Sequence, residues 1–245
     1  MPRRASCIYN KINMKWFYSE NLSQSQVVLQ DDEFRHMVSV MRAREGDSVV
    51  CFDGKGTVCE CRVSQISKKQ AMLQVVSKQV FSQPQTDLVL AAAAIKGERQ
   101  DTMLRQATEL GATKIVLLET DRSEVSLHAQ KMDRLTKQLI ASCKQCKRAF
   151  LPELSFQKLS EFKPQSAIVL VGSFEATVSL AAINSSQIAK NSVTVLVGPE
   201  GGFSPEEEKM FSQNGFQKVR LGQNILRADT AAAMLLSYAK CTKEW

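Results

Sequence analysis

The stretch that most constrains this chain lies near its C-terminus. It reads SVTVLVGPEGGFSPEEE from Ser192 and, shortly after, VRLGQNILRADT from Val219 to Thr230. An apolar run of strand type ends in a glycine turn that feeds a helix. A second, shorter run repeats the device and feeds the last helix. Ser204 suits an N-cap, Pro205 the first helical position and Glu207 the reciprocal partner of a capping box. Those three residues start a helix and need no other role. Gly201 and Gly202 let the backbone approach a ligand or take up positive φ. Alone, that loop is equally a tight structural turn. Two such loops side by side can wrap a small ligand in peptide N–H and C=O groups.

The ligand these loops suit is not a nucleotide phosphate. No Gly-Lys-Ser/Thr follows the first loop, and it lacks the GxGxxG pattern. It carries a carboxylate, Glu200, which tolerates a cationic ligand such as a sulfonium. In the second loop Arg227 reads either as a solvated charge or as a site residue. Asp229 or Thr230 is expected to cap the final helix.

Two regions of different pattern flank Ser82 to Thr86, a polar linker with one proline. Before it, Val49–Phe52 and Thr57–Val63 flank Asp53-Gly54-Lys55-Gly56, a hairpin signal, and Ala71–Val76 reads as a further strand. Phe34, Met37, Val38 and Met41 recur at helical spacing over 32–41. A small β-barrel-like module over 14–83 is expected. After the linker, strands at 88–95, 114–118, 167–171, 193–197 and 219–221 alternate with helices at 101–110, 131–150, 204–214 and 229–240. That order predicts an α/β domain over 84–245, its parallel sheet covered on both faces.

Composition adds bounds. No apolar run approaches the ~20 residues of a membrane helix, and the first residues lack a secretory apolar stretch, so Met14 is read as the functional start. Seven scattered cysteines fit free thiols in a reducing cytoplasm. Cys59 and Cys61 alternate on a strand and read as apolar filler; Cys143-x-x-Cys146 has no second ligand pair nearby. Neither His36 nor His128 joins a metal-like cluster, and no metal is expected. The net charge of +7 favours a polyanionic partner.

GPEGGFSxEE followed by LGxxILRxxT resembles the SPOUT-class RNA methyltransferases, specifically the RsmE family, which methylates N3 of a uridine in 16S ribosomal RNA. The likeness covers nearly the whole chain from Lys15. His36 to Arg42 is similar to the family's H-x5-R segment, and Gly46-Asp47 and Phe52 to Gly56 to its barrel turns. Lys96 to Arg99 and Thr108 to Gly111 resemble its first strand–helix unit, and Arg122-Ser123 its next loop.

The resemblance implies a trefoil-knotted C-terminal domain, a PUA-like RNA-binding barrel, and a homodimer with its site at the subunit interface. S-adenosylmethionine would be held by Gly198, Pro199, Glu200, Gly201, Gly202, Leu221, Gly222, Ile225 and Leu226, with Val171, Gly172, Phe174 and Glu175 as a third wall. Arg227 and Asp229 would be catalytic. His36, Arg42, Lys96, Arg99, Arg122, Arg134, Lys137, Gln145 and Arg148 would meet RNA. The chain departs from the family at Asp229, where Glu is usual, at Gln106 for a lysine, and at Lys144-Gln145-Cys146-Lys147-Arg148.

The helix over 131–150 points to RNA independently. Met132, Leu135, Leu139, Cys143 and Cys146 share one face, and Arg134, Lys137, Lys144 and Arg148 the other. Such a basic face is either solvated or a phosphate contact with steep salt dependence. A ribose 2′-O-methyltransferase of the same class and a non-catalytic RNA-binding protein are the alternatives. The former would lack the His36–Arg42 signature.

Overall fold

A computed structural model describes residues 13–22, 25–126 and 131–243. His128 and the residues before Met14 up to position 12 lie outside them. No helix among the described residues is long and apolar enough to cross a membrane. The chain forms two compact units: the described residues up to Gln83 together with Ile140–Leu151, and Pro84–Leu139 together with the described residues from Pro152 onward.

The first unit is a curled five-stranded sheet. Its strands are β1 (Lys15–Tyr18), β2 (Gln26–Gln30), β3 (Ser48–Phe52), β4 (Thr57–Ile66) and β5 (Gln70–Val80), in the order β1-β3-β4-β5-β2. All neighbours are antiparallel except β1 with β3. Register shifts at Glu60/Cys61 and Val63/Gln65 interrupt the β4–β5 ladder, and such irregularities bend a sheet. Cys51, Cys59 and Cys61 pack with Phe17, Val27, Leu29 and Leu73 as apolar filler on one face. The other face, Trp16, Val50, Phe52 and Val58, is covered by Cys143, Ala149 and Phe150. Covering on both faces explains why β3 is apolar without alternation.

The helix expected over 32–41 is one α-turn, α1 (Asp31–Arg35), continued as a π-helical turn over His36–Val40. Both serve to seat Met37 in the core. The hairpin holds as read: Asp53 accepts from the backbone N–H groups of Lys55 and Thr57 at 2.7 and 2.9 Å. Gly56 sits at φ +105°, and a Cβ there would lie 2.6 Å from the Phe150 ring and 2.8 Å from the Phe81 carbonyl. Gly56→Ala is therefore expected to destabilise this unit by about 2–4 kcal/mol, overpacking adding to backbone strain. Urea denaturation followed by tryptophan fluorescence checks this; an unchanged midpoint contradicts it.

The second unit is a six-stranded, wholly parallel sheet. Its strands are β6 (Leu88–Ala93), β7 (Lys114–Glu119), β8 (Glu153–Lys158), β9 (Ile168–Gly172), β10 (Val193–Val197) and β11 (Gln217–Val219), in the order β11-β9-β10-β6-β7-β8. The helices are α2 (Glu98–Glu109), α3 (Met132–Cys146), α4 (Ser185–Lys190), α5 (Pro205–Gln213) and α6 (Ala228–Cys241), of which α3 starts in this unit and from Ile140 belongs to the first. On one face Val89, Ala91, Val116, Leu118, Val169, Val171 and Leu196 pack with Phe203 and Phe211. Helix α6 packs on β6, β9, β10 and α2.

β8 and α4 are not expected from the sequence, several element ends shift by a few residues, and two boundaries bear on the site. Helix α3 ends at Cys146, not Phe150, because Lys147 turns left-handed at φ +59° and the Arg148 N–H bonds back to the Cys143 carbonyl at 3.0 Å, a Schellman-type stop. Helix α6 starts at Ala228, with Arg227 as the N-cap residue and no side-chain cap. Asp229 and Thr230 lie inside the first turn, so neither is the expected cap.

Candidate active site

A cavity of about 840 Å³ opens where the adjacent strands β11, β9 and β10 end. Ligands of open parallel sheets bind at the C-terminal ends of strands, and this volume falls within the range of small-molecule sites. Three backbone segments wall it: Gly172 to Glu175 after β9, Gly198 to Phe203 after β10, and Arg220 to Ala228 after β11.

The first glycine loop is set by local chemistry. The Gly202 N–H bonds to the Pro199 carbonyl at 2.9 Å, closing a tight turn, and Gly202 takes φ +71°. A Cβ on Gly198 would stand 3.0 Å from the Phe203 ring, so that glycine admits the ring over the start of the loop. The capping box is complete: Ser204 accepts from the Glu207 N–H, and Glu207 accepts from the Ser204 N–H at 2.8 Å. Turn and cap thus account for Gly198, Gly202, Ser204 and Glu207. They do not account for Gly222, which has no positive φ and around which a Cβ would meet no atom of the described chain within 4 Å.

The structure gathers Gly172, Phe174, Glu175, Gly198, Pro199, Glu200, Gly201, Gly202, Leu221, Gly222, Ile225, Leu226 and Arg227 around this one cavity. Val171 is instead wholly buried in the core. Glu200 is not an unpaired counter-charge, because Arg99 holds its carboxylate at 2.8 Å. Glu208, also on the wall, is paired with Lys218 at 2.7 Å. Ser173 lies within the stretch from Val171 to Glu175 expected as the third wall, whereas sequence reasoning did not single out Asn224 or Arg220, which also line the cavity. Arg220 follows the short strand β11 directly, and position after a strand end was the signal available for it. Asp229 is half-buried, and its Oδ1 finds no hydrogen-bond partner among the described residues.

The nine residues assigned to RNA fall in both units. In the first, Arg42 is exposed at φ +48° and Gln145 is exposed. His36 lies edge-on to Phe17 with its Nδ1 3.5 Å from the Lys144 ammonium; burial, then that cation, lowers its pKa. Lys144 is paired with Glu33 at 2.6 Å and is only 15% exposed, so it does not belong to a free basic face. Arg148 lies past the end of α3, and burial lowers its pKa too. The thiol of Cys143 is pushed up to about 12 by burial, which makes it an inert core residue. No group of His, Cys, Asp and Glu among the described residues could hold a metal. In the second unit Lys96 pairs with Glu124 at 3.2 Å, Arg99 with Glu200, and Arg134 with Asp101 at 2.9 Å. Arg122 donates to the Gly201 carbonyl at 2.8 Å. Lys137 lies within α3.

Residues 82–240 match the family model of the RNA methyltransferase domain, and residues 29–76 that of the RNA methyltransferase PUA domain. The chain belongs to the RNA methyltransferase family of ribosomal RNA small subunit methyltransferase E. A relative of that name from Rickettsia conorii is 30% identical over 239 residues, covering 95% of each chain. Among solved structures, a methyltransferase from Legionella pneumophila in complex with bound SAM superposes with a TM-score of 0.87 at 27% identity, covering 94% of this chain and 98% of that one. A ribosomal RNA small subunit methyltransferase E from Neisseria gonorrhoeae bound to S-adenosyl methionine gives 0.79 at 27%, covering 91% and 95%. Family membership thus joins a PUA domain to a parallel-sheet methyltransferase domain.

Proposed function

We propose that this protein transfers the methyl group of S-adenosylmethionine to N3 of a uridine in 16S ribosomal RNA. The observation that carries the reading is the glycine-walled cavity at the ends of β9, β10 and β11 in a chain of this family. The cavity fits that cofactor. The space over Gly222 and Gly202 holds no atom of the described chain within 4 Å of a built Cβ, so backbone there lies open to a ligand. Phe174, 53% exposed, and Ile225, 79% exposed, offer apolar surface to a purine ring. When bound, the cofactor supplies an electrophilic methyl group.

The residues of the chain must do the rest. N3 of uracil carries a proton and is a poor nucleophile until it leaves, and it lies on the pairing edge. The base must therefore be unpaired or flipped, which costs a few kcal/mol. Arg227, at the mouth of the last loop, would stabilise the developing uracil anion. Asp229, one turn-position beyond, would orient Arg227 or take the proton. The same reading includes a knot in which the segment after β11 threads the β9–β10 connection. Its support is the backbone of Arg220, which bonds on one side to the Val178 carbonyl and on the other to the Leu180 N–H. It also includes a homodimer completing the site, a cytoplasmic location beside the ribosome, and no metal. Light scattering should give a dimer at micromolar concentration.

Calorimetry with S-adenosylmethionine, followed by mass mapping of nucleosides in 16S RNA treated with the enzyme, tests the whole. One new 3-methyluridine is expected. A ribose methyl or no product overturns the assignment.

A further inference from the structure

We infer that Arg122 and Arg99 are positioning residues for the cofactor loop rather than RNA contacts; this rests on the cofactor reading above. A glycine turn is mobile unless something orders it, and ordering a loop on binding subtracts from affinity. This loop is tied at successive points from outside itself. Arg99, in the first turn of α2, holds the Glu200 carboxylate at 2.8 Å. The Arg122 guanidinium donates to the Gly201 carbonyl at 2.8 Å, and its stem lies 3.6 Å from where a Gly201 Cβ would stand. Next to it Asp121 accepts from the Ser204 hydroxyl at 2.6 Å and donates its N–H to Glu207 at 2.9 Å. The turn that carries Asp121 and Arg122 is itself closed by Thr120 and Ser123, 2.8 Å apart.

Ser204 and Glu207 are buried and would cap α5 without help. The turn at Pro199–Gly202 closes by its own backbone bond. The arginines add something neither device supplies: Arg122 fixes where the Gly201 carbonyl faces, and Arg99 anchors the neighbouring Glu200 side chain. Both arginines are exposed, the Arg99 pair at 45% and 52%, so solvent screens both. Arg122 is the more direct tie because it holds the loop backbone, whereas Arg99 holds only a side chain.

The test separates cofactor from RNA. Arg122→Met keeps the stem against Gly201 and removes the donor. It is expected to weaken S-adenosylmethionine binding about tenfold by calorimetry without RNA, the scale of one charge-assisted hydrogen bond. Arg122→Lys, which restores a donor, should recover to within about threefold, and Arg99→Gln should lose about threefold. RNA affinity without cofactor, by filter binding, should change less than about twofold in all three. Melting temperatures are read first, and the lysine and Arg99 variants keep the question decidable if the methionine variant is unstable. Unchanged cofactor affinity in Arg122→Met, or an equal loss of RNA affinity, overturns the inference. A wild-type protein that binds no cofactor overturns the proposed function instead, and is read in the same experiment.

Discussion

Gly222→Val is expected to weaken S-adenosylmethionine binding by roughly 100-fold while leaving the fold intact. Its site is unusual among the glycines of the cavity. Gly202 sits at φ +71°, so a branched side chain there strains the backbone and lost binding is confounded with a damaged turn. Gly198 would collide with Phe203. Gly222 has neither problem, and its missing side chain corresponds to open cavity. The Cβ of a valine would therefore meet no atom of the described chain in the free protein, and its branches would stand where the ligand is proposed to pack. Overpacking of about 1–3 kcal/mol at a filled site converts, at about 1.4 kcal/mol per decade, to roughly 5- to 140-fold in affinity, and a branched residue against a tightly held ligand falls at the upper end. Calorimetry and a thermal melt read both halves. Wild-type affinity in the folded variant would place the cofactor elsewhere.

Gly222 also shows how far the sequence could be read. The two loops, the capping box and five of the six strands of the second unit follow from local pattern: continuous apolar runs, glycine stops and Ser-Pro-Glu-Glu starts; β8, half-exposed along its length, shows no such run. The loops converge because β9, β10 and β11 are neighbours, and periodicity gives no neighbour order. It gives no hint that β11 lies outside β9. The same limit hid the role of residues 140–151. Read along the chain they continue a basic amphipathic helix, but the left-handed Lys147 breaks it, and Ala149 and Phe150 turn onto the sheet of the first unit. Lys144 is then neutralised by Glu33, a residue 111 positions away. Charge patterning assigns a face from the sequence of one helix, whereas ion pairing depends on what the fold brings opposite. β1 and β2 escaped notice for a simpler reason: at four and five residues they carry too little pattern to stand out.

Arg227→Ala is expected to lower the methylation rate by roughly 10²- to 10³-fold, the usual loss when one donor to a developing anion is removed. The affinity for S-adenosylmethionine should change less than about threefold, because a group acting mainly in the transition state leaves ground-state binding almost untouched. The structure sharpens the companion question about Asp229. It is not the cap of α6; the N-cap is Arg227 itself, in extended conformation, with no side-chain capping bond. In the first turn the Asp229 charge still meets the positive end of the helix, an effect of about 0.3–1 kcal/mol. That does not explain why Oδ1 is buried without a partner among the described residues, which costs about 1–3 kcal/mol. On the proposed reading, that atom is available to the substrate. Asp229→Asn preserves the shape and removes the charge, and it is expected to slow methylation at least tenfold, short of the 10²–10⁴ that positioned proton transfer supplies. Single-turnover rates at saturating cofactor read this directly. A variant that methylates at the wild-type rate would reduce Asp229 to a helix-end charge and leave Arg227 as the sole residue of this pair at the reacting centre.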